Sequence, residues 1–271
     1  MTEDLTPERM DDLVALVRQL AGRAGKATLF YYGDDGAEMG VTEKTDESPL
    51  TKADLAADRI IVEELRTATP DIPVVSEESV EQHGAPSVGR LFWLVDPLDG
   101  TKEFIEQNGE FTVNIALVHD GEPVLGIVHA PALGRSWLGA RLSGGEAHAL
   151  FIDEDGDPRP IAARTPPAAG LTVVASRRHG DPETLKDFLG GKPVAETRNA
   201  GSSIKFCLVA SGEADLYPRF GRTMEWDTAA GHAVLAAAGG RVQTTAGEAL
   251  VYGKAEFANP EFVAYGARAA G

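Results

Sequence analysis

Two carboxylates three residues apart, Asp96 and Asp99, follow directly on the apolar run Leu91-Phe92-Trp93-Leu94-Val95. A buried strand ending in Asp, a Pro that turns the chain out of the sheet, and Asp99-Gly100-Thr101 opening a helical stretch make a rigid mount for a hard cation. Carboxylate oxygens suit Mg²⁺, which keeps several waters and shares one or two acids with a phosphate. The Leu98 carbonyl, bared by the turn, offers a third oxygen. Gly100 lets the backbone come close, so that the amides of Gly100, Thr101 and Lys102 face an anion at a helix start. The chemistry implied is metal-assisted handling of a phosphate. The duller alternative for this hexamer alone is an Asp-rich turn with Asp99 or Thr101 as an ordinary N-cap.

A chain of 271 residues buries a large core, as one big domain or as two halves sharing a cleft. Forty-two acids against twenty-five Lys and Arg give a net charge of -17, which opposes binding to a nucleic-acid polymer or an anionic membrane surface. An anionic substrate then needs bound cations or a local Arg/Lys set. A single cysteine, Cys207, excludes an intrachain disulfide and zinc held by several thiolates, and fits a reducing, cytoplasmic setting. The first dozen residues are acidic where a secretory signal is basic, and no apolar run is long enough to span a bilayer, so no integral membrane segment is expected. Peripheral association with the inner membrane stays open.

The elements that must position these acids follow from periodicity. Thr6-Pro7 opens a helix with Met10, Leu13, Val14, Val17 and Leu20 at helical spacing, and Gly22 and Gly25 mark its frayed end. Residues Gly33 to Pro49 form a long aperiodic loop. Thr51 with Asp54 three residues on begins a second helix, carrying Ile60, Ile61 and Leu65 and ending before Pro70. Pro73-Val74-Val75 is a short strand leading into Ser76-Glu77-Glu78-Ser79. Alternation from Phe111 to Leu117, the turn Asp120-Gly121, and Val124 to His129 predict an antiparallel hairpin. Beyond the Pro-rich stretch Pro158 to Pro167 the pattern alternates: strand Leu171–Ala175, helix Ser202–Ser211, strand Asp215–Pro218, helix Asp227–Ala238. We therefore expect an α+β half over residues 1–165, an α/β half over 166–271, and a cleft between them.

Five ordered segments are similar to the inositol monophosphatase superfamily, and most to its branch of CysQ-type 3'(2'),5'-bisphosphate nucleotidases. They are Asp46-Glu47-Ser48-Pro49-Leu50-Thr51-Lys52-Ala53-Asp54, Ser76-Glu77-Glu78, Asp96 through Ile105, Gly201-Ser202-Ser203-Ile204-Lys205-Phe206, and Trp226-Asp227-Thr228-Ala229-Ala230-Gly231. The resemblance spans nearly the whole chain and implies a layered αβαβα sandwich. It implies further that Glu77, Asp96, the Leu98 carbonyl, Asp99 and Asp227 hold two or three Mg²⁺ ions around a phosphate, with Li⁺ or Ca²⁺ inhibitory. Two carboxylates about 4 Å apart repel by about 4 kcal/mol at an effective dielectric near 20, so such a set needs cations or raised pKa values.

By the same resemblance, Thr101, hydrogen-bonded to Asp54, activates the attacking water, and Asp227 serves the departing sugar oxygen. The substrate is a small nucleotide bisphosphate, contacted by Glu77, Leu98, Asp99, Gly100, Thr101 and Asp227 at the reacting phosphate. His179, Ser202, Lys205 and Arg219 line the pocket for adenosine and its 5'-phosphate. Lys205 and Arg219 make sense as anion partners in an acidic chain. Lys44 and Asp46 resemble a segment that closes over a third metal. The expected activity is removal of the 3'-phosphate of adenosine 3',5'-bisphosphate, and of its sulfated relative, in support of sulfate assimilation, by a monomer or homodimer. An inositol-monophosphatase-like sugar or polyol phosphatase is the alternative, and a noncatalytic acidic metal-binding protein the more distant one. An aspartyl-phosphate mechanism needs acids two residues apart, whereas Asp96 and Asp99 are three apart.

Overall fold

Thr6 caps the first helix, α1 (Pro7–Leu29), its side chain accepting from the Arg9 amide, with Pro7 at the first turn. The computed structural model describes residues 5–33, 38–44, 49–141, 146–176 and 182–268. The helix does not fray at Gly22 and Gly25 as the sequence suggested; it runs two further turns to Leu29. Gly25 is there for close approach, since a Cβ at that position would stand 2.5 Å from His129 Nε2. After a minimal ribbon of β1 (Thr42–Glu43) with β2 (Pro49–Leu50), α2 (Lys52–Ala68) packs against α1.

The next strands build a seven-stranded sheet: β3 (Val74–Ser76), β4 (Leu91–Asp99), β5 (Thr112–His119), β6 (Glu122–Ala130), β7 (Arg135–Arg141), β8 (Ala147–Ile152) and β9 (Pro158–Pro160), side by side in that order. Only β3 and β4 pair in parallel; every other neighbour is antiparallel. Two short helices leave its end, α3 (Glu77–His83) after β3 and α4 (Thr101–Ile105) after β4. Pro97 does not expel the chain from the sheet as expected. The strand bulges instead: Asp96 pairs with Asn114 and Asp99 with Thr112, so β4 spends one residue more than β5 over that interval. Pro97 has no amide to donate, and a bulge is where a sheet tolerates it.

A second, mixed sheet holds five strands in the order β11 (Val194–Asn199), β10 (Leu171–Ala175), β12 (Leu216–Arg219), β16 (Phe262–Tyr265) and β14 (Arg241–Thr244). Between the sheets lie α6 (Ile204–Ala210) and α7 (Glu225–Ala237), and β13 (Thr223–Met224) pairs with β15 (Ala258–Asn259) beside the start of α7. The outermost layer is α5 (Pro182–Leu189). Neither α5 nor β11 was expected from sequence; β11 is largely exposed edge strand with no apolar alternation to betray it.

The layering is visible in the packing. Val113, Ile115 and Leu117 of β5 meet Val17, Leu20 and Ala24 of α1 on one face, while Ala116 and Val118 meet the α6 and α7 layer on the other. Burial on both faces explains the unbroken apolar run Ile115 to Val118 in β5. The second sheet gives Val174, Tyr217 and Phe262 to the α6–α7 layer, and Val173, Leu216 and Val263 to Leu185 and Leu189 of α5. Each large side chain buried this way stabilises the fold by about 1.5–3 kcal/mol. The result is an αβαβα sandwich in which α7 lies directly on the first sheet: a Cβ on Gly139 of β7 would reach 2.4 Å from Val234 Cα. Every functional element below emerges at one edge of this stack.

Candidate active site

Asp54 combines the two positions read for it, the cap of α2 and a contact with Thr101. One carboxylate oxygen, Oδ2, accepts from the Thr51 amide at 2.8 Å and the Thr51 hydroxyl at 2.5 Å, closing the capping box of α2. The other, Oδ1, lies 3.4 Å from the Thr101 hydroxyl, which is also 3.4 Å from the Leu98 carbonyl. Burial pushes the Asp54 carboxyl up to about 6.

Asp96 is buried at the bulge, where its Oδ1 accepts from the Leu98 amide at 3.1 Å. Asp99 ends the strand, and Gly100 turns the chain into α4 with φ 89°; a Cβ there would press on Ser202 Cβ at 3.2 Å in a conformation that side chains avoid. Asp227 sits three residues into α7, its Oδ2 accepting from the Met224 amide at 2.8 Å. These acids act on one another. Burial first, then the charges of Glu77, Asp99 and Asp227, hold Asp96 well above the usual carboxylate range. Burial and then Asp99 and Glu77 push Asp227 up to about 8, although part of its surface faces the cleft.

Lys44 answers part of that negative charge. Its ammonium, with a side chain only 3% exposed, donates to Glu77 and Glu78 at 2.6 Å each. Burial alone would lower its pKa, but the two carboxylates prevail and hold it above the usual lysine range. Glu78 is itself pushed up to about 7, chiefly by burial. Among the described residues, no three Asp, Glu, His or Cys side chains are already closed around one point at ligand distance. The acids are arrayed about a common space, repelling one another. Oxygen-only donors, two carboxyls with raised pKa and the buried Asn114 Oδ1, without a partner among the described residues, fit a hard divalent ion.

The cationic side comes from the second half of the chain. A cavity of about 280 Å³ is lined by Asp99, Thr101, Ser202, Lys205, Arg219 and Asp227, and Asp227 also borders a neighbouring one of about 430 Å³ with Lys44 and Glu77. Lys205 is buried and donates to the Ser202 carbonyl at 2.5 Å and the Ala200 carbonyl at 3.4 Å, 5.4 Å above the Tyr217 ring. Burial pulls it down to about 8 against the pull of Asp99. Arg219 donates through Nη2 to the Arg222 carbonyl at 3.2 Å, and its buried Nε has no partner among the described residues. An unpaired guanidinium N–H on a cavity wall invites an anion. His179 and Asp46 lie outside the described residues.

Ser203, Thr112, Asn114 and Glu110 were assigned no role from the sequence, whereas Ser202 was expected in the pocket. Ser203 Oγ bridges the two halves, 2.9 Å from Asp99 Oδ2 and 2.7 Å from the Asp227 carbonyl, and accepts from Asn114 at 2.9 Å. Ser202, in a strained φ of 49°, meets Thr112 at 2.6 Å, and Glu110 accepts from the Gly201 amide at 2.7 Å. Two buried polar residues, Thr112 and Asn114, at the start of a strand that is apolar from Ile115 to Val118 were the available hint.

The family model for the inositol monophosphatase family matches residues 9–268. The chain belongs to that family. The 3'(2'),5'-bisphosphate nucleotidase CysQ of Escherichia coli K12 is 49% identical over 247 residues, 91% of this chain and 96% of that protein. CysQ of Salmonella typhimurium is 50% identical over 248 residues, with the same coverage. Among solved structures, CysQ from Bacteroides thetaiotaomicron superposes with a TM-score of 0.78 at 38% identity, covering 95% of this chain and 98% of that one. An IMPase of Thermotoga maritima gives 0.72 at 26% identity, covering 94% and 92%. The αβαβα sandwich is thus the family's fold, and the family assignment expected from five sequence segments stands.

Proposed function

We propose that the protein is a Mg²⁺-dependent phosphatase that removes the 3'-phosphate of adenosine 3',5'-bisphosphate, giving AMP and phosphate. Its sulfated relative is a second substrate, and the place of the reaction is cytoplasmic sulfate assimilation. The observation that carries the reading is a single cavity joining both charge types: Asp99, Thr101 and Asp227 on one wall, Lys205 and Arg219 on the other. A bisphosphate has two anionic ends, and the cavity offers each a different kind of partner. The name borne by relatives about half identical over most of the chain agrees with that division.

In this scheme Glu77, Asp96, the Leu98 carbonyl, Asp99 and Asp227 hold the ions. When bound, Mg²⁺ supplies Lewis-acid polarisation of the phosphoryl oxygens and makes water nucleophilic near neutral pH. Thr101 orients the attacking water and relays its proton toward Asp54, whose raised pKa, about 6, suits a proton acceptor. Asp227, fixed by the Met224 amide, stands on the leaving-group side. Lys205 and Arg219 anchor the 5'-phosphate, which sets the distance of the 3'-ester from Thr101. The first half, 1–165, brings the proton relay and most of the acids; the second, 166–271, brings Asp227 and the nucleotide contacts.

The purified protein, given Mg²⁺ and either adenosine 3',5'-bisphosphate or inositol 1-phosphate, releases phosphate faster from the nucleotide, and Li⁺ or Ca²⁺ slows it. Faster release from inositol 1-phosphate would overturn the nucleotide assignment while leaving the phosphatase chemistry intact.

A further inference from the structure

The outer face of the five-stranded sheet is only partly covered. Helix α5, eight residues long, sets Leu185, Phe188 and Leu189 against Val173, Leu216 and Val263. Toward β14 and β16 that face opens into a groove of about 430 Å³, floored by Leu171, Leu216 and Tyr265 and edged by Lys192, Arg241 and Arg268. The Arg241 guanidinium lies 4.4 Å over the Tyr265 ring and is steadied by the Gln243 side chain at 3.2 Å and the Gly266 carbonyl at 3.3 Å.

Three cations gathered on an apolar floor are unexpected in a chain of net charge -17. Among the described residues, no carboxylate forms an ion pair with Lys192, Arg241 or Arg268. The acid in the lining, Asp215, is already engaged: Arg164 grips both its oxygens at 2.8 and 2.9 Å, and the Thr172 amide donates to it at 2.6 Å. Burial first, and then the like charge of Arg268, hold Arg241 below the usual arginine range, a cost that a bound anion offsets.

We propose that this groove is a second anion site, separate from the catalytic cleft, that takes a nucleoside monophosphate. Arg268 presents a forked guanidinium and Arg241 its remaining Nη2 to a phosphate dianion, with Lys192 as a third charge. A planar base extends the Arg241–Tyr265 stack over Leu171 and Leu216, and the volume falls within the range of small-molecule pockets. The groove also adjoins the catalytic machinery through one strand. Leu216 of β12 floors the groove while the next residue, Tyr217, lines the catalytic cavity on the opposite face. The proposal does not depend on the reaction assigned above.

Isothermal titration with AMP tests it, comparing the parent with an Arg241→Glu/Arg268→Glu variant. The expected result is one fewer AMP bound per chain in the variant, with kcat for adenosine 3',5'-bisphosphate unchanged. Adenosine and inorganic phosphate, tested singly, should each bind the groove about tenfold or more weakly than AMP, because each meets only half of the site. Should the double variant fail to fold, Lys192→Glu, at an exposed position, is expected to weaken groove binding about tenfold. Equal AMP stoichiometry in parent and folded variants overturns the proposal. So does sedimentation showing that the substitutions dissolve a dimer without altering AMP binding, which makes the groove an interface between copies. If the protein proves inactive on the bisphosphate yet the variant still loses one AMP, the site stands and the catalytic reading falls.

Discussion

Asp227 at the cleft with Asp96 buried nearby, and Lys205 on the other side, are charged groups pressed into protein at a cost, but they are held differently. Each acid has one backbone donor, from Leu98 or Met224, and its other charged neighbours are mostly further acids, with Lys44 the relief at Asp96 and Arg219 at Asp227. Lys205 has two carbonyls and an aromatic face, so its ammonium is seated before any ligand arrives. The acid wall is therefore incomplete without cations. The cationic wall is preorganised for an anion, and its cost is desolvation rather than repulsion.

The sharpest way to break that contrast is Asp227→Asn. Loss of one oxygen charge at the leaving-group side should lower kcat/KM by about 10³-fold. Since an amide oxygen can still accept from the Met224 amide while the repulsion with Asp99 and Glu77 is gone, the metal-free variant should melt above the metal-free parent. Phosphate release across a Mg²⁺ titration, with thermal melts in chelator, checks both halves. A variant that melts lower without metal would show that the acids are not in tension.

On the opposite wall, Lys205→Met should raise KM for adenosine 3',5'-bisphosphate by roughly 10–100-fold while hardly moving kcat, the mark of lost uniform binding. The pH dependence follows from burial pulling Lys205 down to about 8, with Asp99, Glu103 and Glu110 opposing and Arg219 assisting. Below pH 8 the ammonium is present and binds the 5'-phosphate; as pH rises through 8 the charge is lost and KM climbs. Lys205→Arg should remove that inflection. For stability the sign reverses. A lysine whose folded pKa lies below its unfolded value of 10.5 favours the folded state above 10.5, and that contribution is lost as pH falls through 8. The full cost at pH 7 is on the order of 3 kcal/mol. Lys205→Met relieves it while forfeiting two hydrogen bonds, so the variant should melt no lower than the parent. A large drop in melting temperature would make Lys205 a structural residue.

The two walls were also unequally legible in the sequence. Asp96 and Asp99 sit at a strand end where their spacing alone suggested a cation mount, while Asp227, at a helix start, was pointed to only by resemblance; the charges of Asp99 and Asp227 both bear on Asp96. The position of Lys205 in α6 says nothing by itself; its burial is a tertiary fact, and the residues pointed to it only through resemblance. Pro97 and Gly25 misled for a related reason. Pro is read as a strand breaker and Gly as a helix end, yet a bulge absorbs the first and close packing on His129 requires the second. Ser203 and Asn114, which tie Asp99 to the backbone at Asp227, were given no role from sequence because the contacts that define them are remote, 89 residues between Asn114 and Ser203 and 104 between Ser203 and Asp99.

Asn259 tests whether the acid wall depends on contacts as remote as these. Its side-chain amide donates to the Met224 carbonyl at 2.7 Å, Thr228 Oγ1 at 3.0 Å and Thr223 Oγ1 at 3.3 Å, fastening the residues on both sides of Asp227. None of these bonds reaches Lys205. Asn259→Leu should therefore cost about fivefold in kcat and in apparent Mg²⁺ affinity, the size of an ordinary neutral hydrogen bond, because Asp227 is less firmly aimed. KM for the nucleotide at saturating Mg²⁺ should stay put. The backbone pairing of Thr223 with Asn259 and Met224 with Ala258 survives the substitution, so the fold is retained. If KM moved while the Mg²⁺ dependence did not, the segment would belong to the cationic wall, and the division between the two sides would need redrawing.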